Sequence, residues 1–440
     1  MKSVLILGAG LVAGPHVRYL LDSERLSVTV ASRTVEKAER LLEGARNGVA
    51  VALDVRDERA LEDLIAAHDL SVSLLPYAYH PTVARLCVKH RRQMVTTSYV
   101  KDEMRALDGA AREAGVILLN EVGVDPGIDH MSAMQVIDRI RRDGGTLRSF
   151  TSNTGGLPAP EANDNPFGYK FSWAPRGVIM AGKNPAKYLR DGEVVDVPGP
   201  ELFAHHEPCE VVGFGELEVY PNRDSMPYVE DYGIPTVNSM FRGTLRYPGW
   251  CDTLKAMVDL GLLDEEQRED IAELSFGQLM ACIIGSDGVD LKGDVADRLG
   301  LPIDAKPISD LAWLGLFGEE TIPPADNTYL DVVASRMLKL MQYAPGERDM
   351  LVMQHEFIAE YADRTERTIS TLVDYGFPNG DSSMSRLVGL PAAIAVRKIL
   401  SGEIGLTGVY TPILPEIYDP VLTELATMGV TFTERVERLP

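Results

Sequence analysis

Apolar residues in the first 127 positions come as short runs, each closed by glycine, proline or a polar cluster. Val4-Leu5-Ile6-Leu7 opens the series, and similar runs cover 26–31, 48–53, 69–76, 93–98 and 116–120. Runs of this length bounded by turn residues predict strands. Between them the apolar spacing lengthens to three and four. Val12, Val17, Leu20 and Leu21 mark one helix, and others are predicted over 58–68 and 80–91. Strand and helix in alternation predict an α/β domain with a Rossmann-type, doubly wound parallel sheet covered on both faces. Ligands of such sheets lie beyond the carboxyl ends of the strands. Gly8–Ala13, Ser32–Thr34, Asp54–Val55, Leu75–Tyr77, Thr97–Tyr99 and Glu121–Asp129 all fall on that edge.

After Gly127 the pattern changes. A helix is predicted over 129–142, where Met131, Met134, Val136, Ile137 and Ile140 carry the apolar positions. A loop-rich stretch follows, and the alternation over 210–220 predicts an antiparallel or mixed sheet. From 248 to 341 the chain reads as helical and acidic, with Asp264-Glu265-Glu266-Gln267-Arg268-Glu269-Asp270 as a solvated face. Strand character resumes over 349–363 and 367–372, as though a second sheet were completed after a helical insertion. A small-residue helix over 391–400 leads to the end of the chain.

The glycine loop brings in chemistry. Gly8-Ala9-Gly10-Leu11-Val12-Ala13 stands between a strand and a helix, the context in which a G-x-G-x-x-A pattern holds a dinucleotide. Gly8 permits the tight turn, Gly10 lets backbone approach a pyrophosphate, and Ala13 keeps helix near strand. The helix N-terminus adds free N–H donors. An NAD site places Asp or Glu at the end of the second strand for the ribose 2′-hydroxyl. Here Ser32, Arg33 and Thr34 stand there instead. A guanidinium pairs with phosphate where a carboxylate repels it, so the expected cofactor is NADP.

Composition narrows the classes. A chain of 440 residues exceeds the usual size of one core, so two or three domains are expected. A net charge of −22 argues against a nucleic-acid groove and against docking on anionic membranes. The four cysteines have no close pairing, so neither a disulfide framework nor a zinc site is expected. No apolar run approaches membrane-spanning length, and the N-terminal run is cut by Gly8, Gly10, Gly14 and Pro15. A cytoplasmic protein is the expectation.

Three constellations could carry a reaction. Asn120 to His130 packs three carboxylates, a histidine and two glycines after the sixth strand, where nicotinamide is expected. Asp129 reads as the N-cap of the following helix. Asp125 reads as the substrate residue, accepting a hydrogen bond from an ammonium group or a proton. The stretches 220–225 and 241–247 set Arg223, Arg242 and Arg246 in loops of an acidic protein, either to bind substrate carboxylates or to pair with surface acids. Other motifs fail. His205, His206, Glu207 and Cys209 are too close in sequence to point at one ion. His355-Glu356 lacks a second histidine at Ala359, and no G-x-S-x-G elbow occurs.

With these motifs assembled, the chain resembles the saccharopine dehydrogenase family in its NADP-dependent, L-glutamate-forming branch. The likeness is carried by Gly8–Val12, Ala31–Thr34, Val95–Tyr99, Asn120–His130, Gly155–Glu161, Asn165–Trp173, Tyr220–Ser225 and Arg242–Tyr247. Weaker echoes continue over 352–363 and 387–394. The resemblance implies three parts. A Rossmann NADP-binding domain, 1–127, is rejoined by 390–440. Residues 128–247 and 345–389 form a substrate-binding and dimerisation α/β domain with a mixed sheet, and 248–344 is a small, mostly helical insertion. It implies a cytoplasmic homodimer in lysine metabolism that passes hydride between NADPH and the imine of glutamate with 2-aminoadipate 6-semialdehyde, the reverse reaction oxidising saccharopine.

By motif match, the cofactor is held by Gly8, Ala9, Gly10, Leu11, Val12, Ser32, Arg33, Thr34, Asp54, Val55, Leu75, Thr97, Ser98, Val124, Asp125, Pro126 and Trp173. The substrate is held by Ser98, Tyr99, Asp125, Arg223, Thr244, Leu245 and Arg246, with Tyr99 and Asp125 as the acid/base candidates. The chain departs from the family at Thr154 and Ser32, where cysteine is usual. Two alternatives stand beside this reading. One is a relative such as carboxynorspermidine dehydrogenase, acting on an imine with fewer carboxylates. The other is a non-catalytic, NADP-binding paralogue.

Overall fold

The structure, a computed structural model, describes residues 1–172, 175–268 and 270–440. The chain divides into two compact units, Met1–Thr146 with Gly380–Phe432 and Leu147–Asn379 with Thr433–Pro440.

The first unit is built on a seven-stranded sheet. Its order is Gly408–Tyr410, Ile117–Leu119, Gln93–Thr96, Leu70–Ser73, Lys2–Leu7, Leu26–Ser32 and Gly48–Ala52, with parallel pairing throughout. The order reverses at Lys2–Leu7, which lies between the second and fourth strands; the crevice at its carboxyl end is where such sheets take a dinucleotide. Val4 to Leu7 are fully buried because both faces are covered, which explains an apolar run without alternation. Several strands are shorter than their apolar runs, ending at Ser73, Thr96 and Leu119. Leu75, Thr97 and Ser98 therefore sit on edge loops.

Helix Ser383–Ser401 begins well before the expected 391 because Ser382 caps it, its hydroxyl accepting from the Ser385 N–H at 3.0 Å. It packs on helix Ala13–Leu21 at Gly389, where a Cβ would lie 3.0 Å from the Val12 carbonyl oxygen and 3.2 Å from the His16 nitrogen. His16 is fully buried there, with Nδ1 3.0 Å from the Gly389 carbonyl. Burial lowers its pKa to about 4, so the ring is neutral.

The second unit carries a nine-stranded mixed sheet. Its main path runs Glu207–Val211, Gly215–Pro221, Ser239–Arg246, Thr146–Pro158, Asp349–Glu360, Thr365–Tyr375 and Thr433–Leu439, with Ala186–Arg190 and Glu193–Val197 beside it. Ser239–Arg246 pairs parallel with Thr146–Pro158 and antiparallel with Gly215–Pro221.

The boundaries differ from the expected ones in two places. Helix Ile128–Arg142 belongs to the first unit, not the second, held by its buried apolar side and by the Tyr418 hydroxyl, which donates to Asp138 at 2.7 Å. Thr433–Leu439 leaves the first unit and pairs antiparallel with Thr365–Tyr375. The stretch 248–344 packs into the second unit: Leu254, Leu279, Ile308 and Val333 share one apolar cluster with Leu157, Leu245 and Val352 of the sheet.

Candidate active site

The glycine loop fits a dinucleotide on steric grounds. Gly8 has φ +115°, and a Cβ on it would meet the Leu74 carbonyl oxygen at 3.1 Å, so the fold itself demands glycine there. Gly10 differs. A Cβ on it would meet nothing within 4 Å, so the space it leaves faces away from the protein. The helix that follows has no acidic residue in its first turn, which leaves its positive end available to phosphate. Ala9 and Leu11 complete the loop, with Leu11 strongly exposed, and Val12 is the helix N-cap.

At the end of the second strand the Ser32 hydroxyl accepts from the Thr34 N–H at 3.2 Å, which turns the chain so that Arg33 stands exposed. The neighbouring strand end supplies Asp54 and Val55. Asp54 accepts from Arg56 Nε at 3.0 Å and from its backbone N–H at 3.0 Å. These bonds, with a smaller contribution from the charge of Arg33, lower the Asp54 pKa to about 2. Arg33 and Arg56 give this corner two cations where an NAD site has a lone carboxylate.

The edge where the reacting end is expected is built from two loops tied together. Val122 N–H donates to the Thr96 carbonyl and Glu121 N–H to the Ser98 carbonyl, at 3.1 and 3.2 Å. Glu121, buried and at φ +60°, accepts from the Val100 N–H at 2.8 Å with one carboxylate oxygen. Its other oxygen lies 2.8 Å from Nε2 of buried His130. Between these anchors the Tyr99 hydroxyl donates to Asp125 Oδ1 at 3.0 Å. Thr97 and Val124 flank the pair, and the Asp125–Pro126 bond is cis. A Cβ on Gly123 would touch the Pro126 carbonyl oxygen at 3.0 Å and Thr97 Cβ at 3.3 Å. Asp129 is not the N-cap. That position is Gly127, whose N–H donates to the buried Asp129 carboxylate at 2.6 Å.

In the second unit Arg223 lies exposed on the loop after Gly215–Pro221, at φ +57°. Arg246 is placed otherwise than a loop cation: it ends strand Ser239–Arg246 and is 5% exposed. Its guanidinium lies 4.9, 5.5 and 5.9 Å from the rings of Tyr169, Trp250 and Tyr220. It donates to the Leu245 carbonyl at 2.7 Å, while its buried Nε has no hydrogen-bond partner among the described residues. A buried cation with an unanswered donor is costly unless an anion meets it. Thr244 is part-exposed beside it. The Leu245 side chain is fully buried, leaving only its backbone for a ligand. Trp173 lies outside the described residues.

The specific motifs acquire structural reasons. Gly168 has φ +59°, and a Cβ on it would strike Tyr247 Cβ at 2.6 Å. Lys170 is buried and bridges Asp164 and Glu347 at 2.8 and 2.7 Å, fixing Tyr169 against Arg246. Sequence reasoning assigned no role to Glu121 or His130 individually, nor any to His80, which lies 2.9 Å from Ser98. The signal for Glu121 was a carboxylate inside an otherwise buried turn; for His80 there was none beyond its helix.

Two family descriptions match the chain: the saccharopine dehydrogenase NADP binding domain over residues 4–119 and the saccharopine dehydrogenase C-terminal domain over 123–430. The chain is 41% identical to the NADP(+), L-glutamate-forming saccharopine dehydrogenase of Schizosaccharomyces pombe, covering 99% of each. It is 39% identical to the mitochondrial alpha-aminoadipic semialdehyde synthase of Bos taurus, over 98% of this chain and 47% of that protein, so it spans about half of that relative. The solved apo structure of L-Glu-forming saccharopine dehydrogenase from Saccharomyces cerevisiae superposes with TM-score 0.92 at 40% identity, over 99% of this chain and 100% of that one. A glycine loop shaped for a dinucleotide, a cationic 2′ corner and a Tyr–Asp pair at the sheet edge thus coincide with full-length likeness, and the chain belongs to the saccharopine dehydrogenase family.

Proposed function

We propose that this chain is an NADP-dependent oxidoreductase of lysine metabolism that interconverts saccharopine with L-glutamate and 2-aminoadipate 6-semialdehyde. The observation that carries the reading is the Tyr99–Asp125 hydrogen bond on the carboxyl edge of a sheet whose glycine loop and Arg33 suit NADP.

NADP, when bound, accepts hydride from the lysine-derived methylene carbon next to the bridging nitrogen, and the reduced form returns it. Gly8 to Val12 would hold the pyrophosphate, Ser32 to Thr34 with Asp54 and Val55 the adenosine end, and Leu75, Thr97, Ser98 and Val124 to Pro126 the nicotinamide end. Asp125 takes the proton that the bridging ammonium must lose before the C–H bond can break, because only the neutral nitrogen lone pair can push hydride away. Tyr99 orients that carboxylate. Once the carbon–nitrogen double bond has formed and Asp125 has released its proton to solvent, water adds to carbon and gives its proton to the freed carboxylate. The C–N bond then breaks as nitrogen takes a proton back, which releases glutamate and the aldehyde. Ser98, Arg223, Thr244 and Arg246, with the Leu245 backbone, take substrate carboxylates, a role that the unanswered Nε of Arg246 supports.

The reading includes a homodimer in the cytoplasm without nucleic-acid partners. The net charge of −22 supports the last point. No helix among the described residues is long and apolar enough to cross a membrane. Light scattering at working concentration tests the dimer. The activity is tested with saccharopine, NADP and NAD in parallel. Turnover favouring NADP is expected, and Arg33→Ala removes that preference. Turnover with carboxynorspermidine and none with saccharopine overturns the assignment.

A further inference from the structure

We infer that His80 is a positioning residue that fixes the Ser98 hydroxyl as a hydrogen-bond donor toward the substrate. The inference rests on the proposed role of Ser98 and concerns how that role is enforced.

His80 opens helix His80–His90 and is 3% exposed. Its Nδ1 lies 2.8 Å from the Ser73 hydroxyl, and its Nε2 lies 2.9 Å from Ser98 Oγ and 3.3 Å from Thr96 Oγ1. Thr96 decides the direction of the chain. Its hydroxyl proton is already given to the Ser73 carbonyl at 2.9 Å, so toward its other neighbours the Thr96 oxygen can only accept. The nearby Ser98 N–H, at 3.4 Å, also points at it as a donor. A bare lone pair on Nε2 would face that oxygen lone pair to lone pair. The proton of the neutral ring therefore belongs on Nε2, shared between Thr96 and Ser98. Nδ1 is then an acceptor and takes the Ser73 hydroxyl proton. Burial, which lowers the His80 pKa to about 4, keeps the ring in this neutral form.

The consequence falls on Ser98. Its oxygen accepts from His80 and its carbonyl from the Glu121 N–H, so the hydroxyl proton is the group left to face a ligand from this part-exposed residue. A hydroxyl committed to donating suits a carboxylate. The opposite tautomer would turn the Ser98 proton into the ring and present lone pairs to the same anion.

The test combines a tautomer measurement with a double-mutant cycle on the full chain. With histidine labelled by 15N in the ring, and His80→Gln used to assign its signal, a protonated Nε2 and an unprotonated Nδ1 are expected; the reverse pattern overturns the inference. His80→Phe is expected to raise the saccharopine KM about tenfold, the scale of one hydrogen bond to a charged group, with NADP KM little changed. His80→Gln, whose amide N–H reaches the Nε2 position, recovers part of that loss and serves if the phenylalanine variant does not fold. Ser98→Ala matches the His80→Phe loss, and the double variant loses no more than Ser98→Ala. If the losses add, His80 acts independently of Ser98 and the inference fails while Ser98 stands. If Ser98→Ala alone leaves KM unchanged, the role of Ser98 fails, and the inference with it.

Discussion

The Tyr99 hydroxyl donates to Asp125 Oδ1 at 3.0 Å, across two loops that Glu121 fastens through Val100 and His130. In the proposed mechanism each partner has a separate part: the carboxylate moves protons and the phenol aims it. Asp125→Asn removes the proton acceptor and keeps the shape. Steady-state oxidation of saccharopine should show kcat lower by about 100-fold or more, the usual scale for a lost general base. Tyr99→Phe should cost less, about tenfold. Equal losses in the two variants would contradict the division of roles.

Two glycines that look alike in sequence should behave oppositely. A Cβ at Gly127, φ +149°, would lie 2.1 Å from the Gly123 carbonyl oxygen, so Gly127→Ala should destabilise by about 3 kcal/mol in urea unfolding. Gly10→Ala meets nothing within 4 Å and should leave stability within about 0.5 kcal/mol. Its effect should appear instead in NADPH titration, as a loss of about 1.4 kcal/mol, tenfold in Kd.

On the proposed reading, Arg246 trades stability for recognition. Its buried guanidinium has aromatic neighbours and, among the described residues, no carboxylate partner, so Arg246→Met keeps the stacked bulk while removing a charge that is costly to bury. Thermal unfolding should show the variant at least as stable as the parent. Its KM for saccharopine should rise by about tenfold or more, with NADP KM unchanged. A variant that loses stability and keeps its KM would make Arg246 a packing residue.

Acid should unfold the protein in a window set by buried histidines. His16 and His80 are each lowered from 6.5 to about 4 by burial. Between those values the unfolded chain binds protons that the native rings refuse, so stability is full above pH 6.5 and is lost as pH falls toward 4. Each ring contributes on the order of 3 kcal/mol over the full window. Urea unfolding at pH 7 and pH 5 should resolve the slope, and His16→Asn should flatten it.

The parallel sheet was legible because each of its first six strands is a short stretch rich in apolar residues between turn residues, uninterrupted at Val4–Leu7 and alternating with Ser or Thr at Leu26–Ser32 and Leu70–Ser73. Gly408–Tyr410 was not, since three residues carry no periodicity. Thr433–Leu439 was missed because its charged residues are those of an exposed edge, and its place depends on pairing with Thr365–Tyr375. The site was legible where one residue type is required for a local reason, as glycine is at Gly8 for its backbone angle. It was not legible where the role depends on a distant partner. Nothing in the order of residues brings His80 to Ser98 or Glu121 to Val100. Arg246 was singled out as a cation, yet its burial among Tyr169, Tyr220 and Trp250 follows from the packing of separate elements.

The most direct measurement follows the hydride. Saccharopine is prepared with deuterium on the lysine-derived methylene next to nitrogen, and separately at the glutamyl α-carbon, and each is oxidised with NADP. The account predicts deuterated NADPH from the first substrate only, with free glutamate as the amino-acid product. Label arriving from the glutamyl α-carbon, with lysine released, would contradict it.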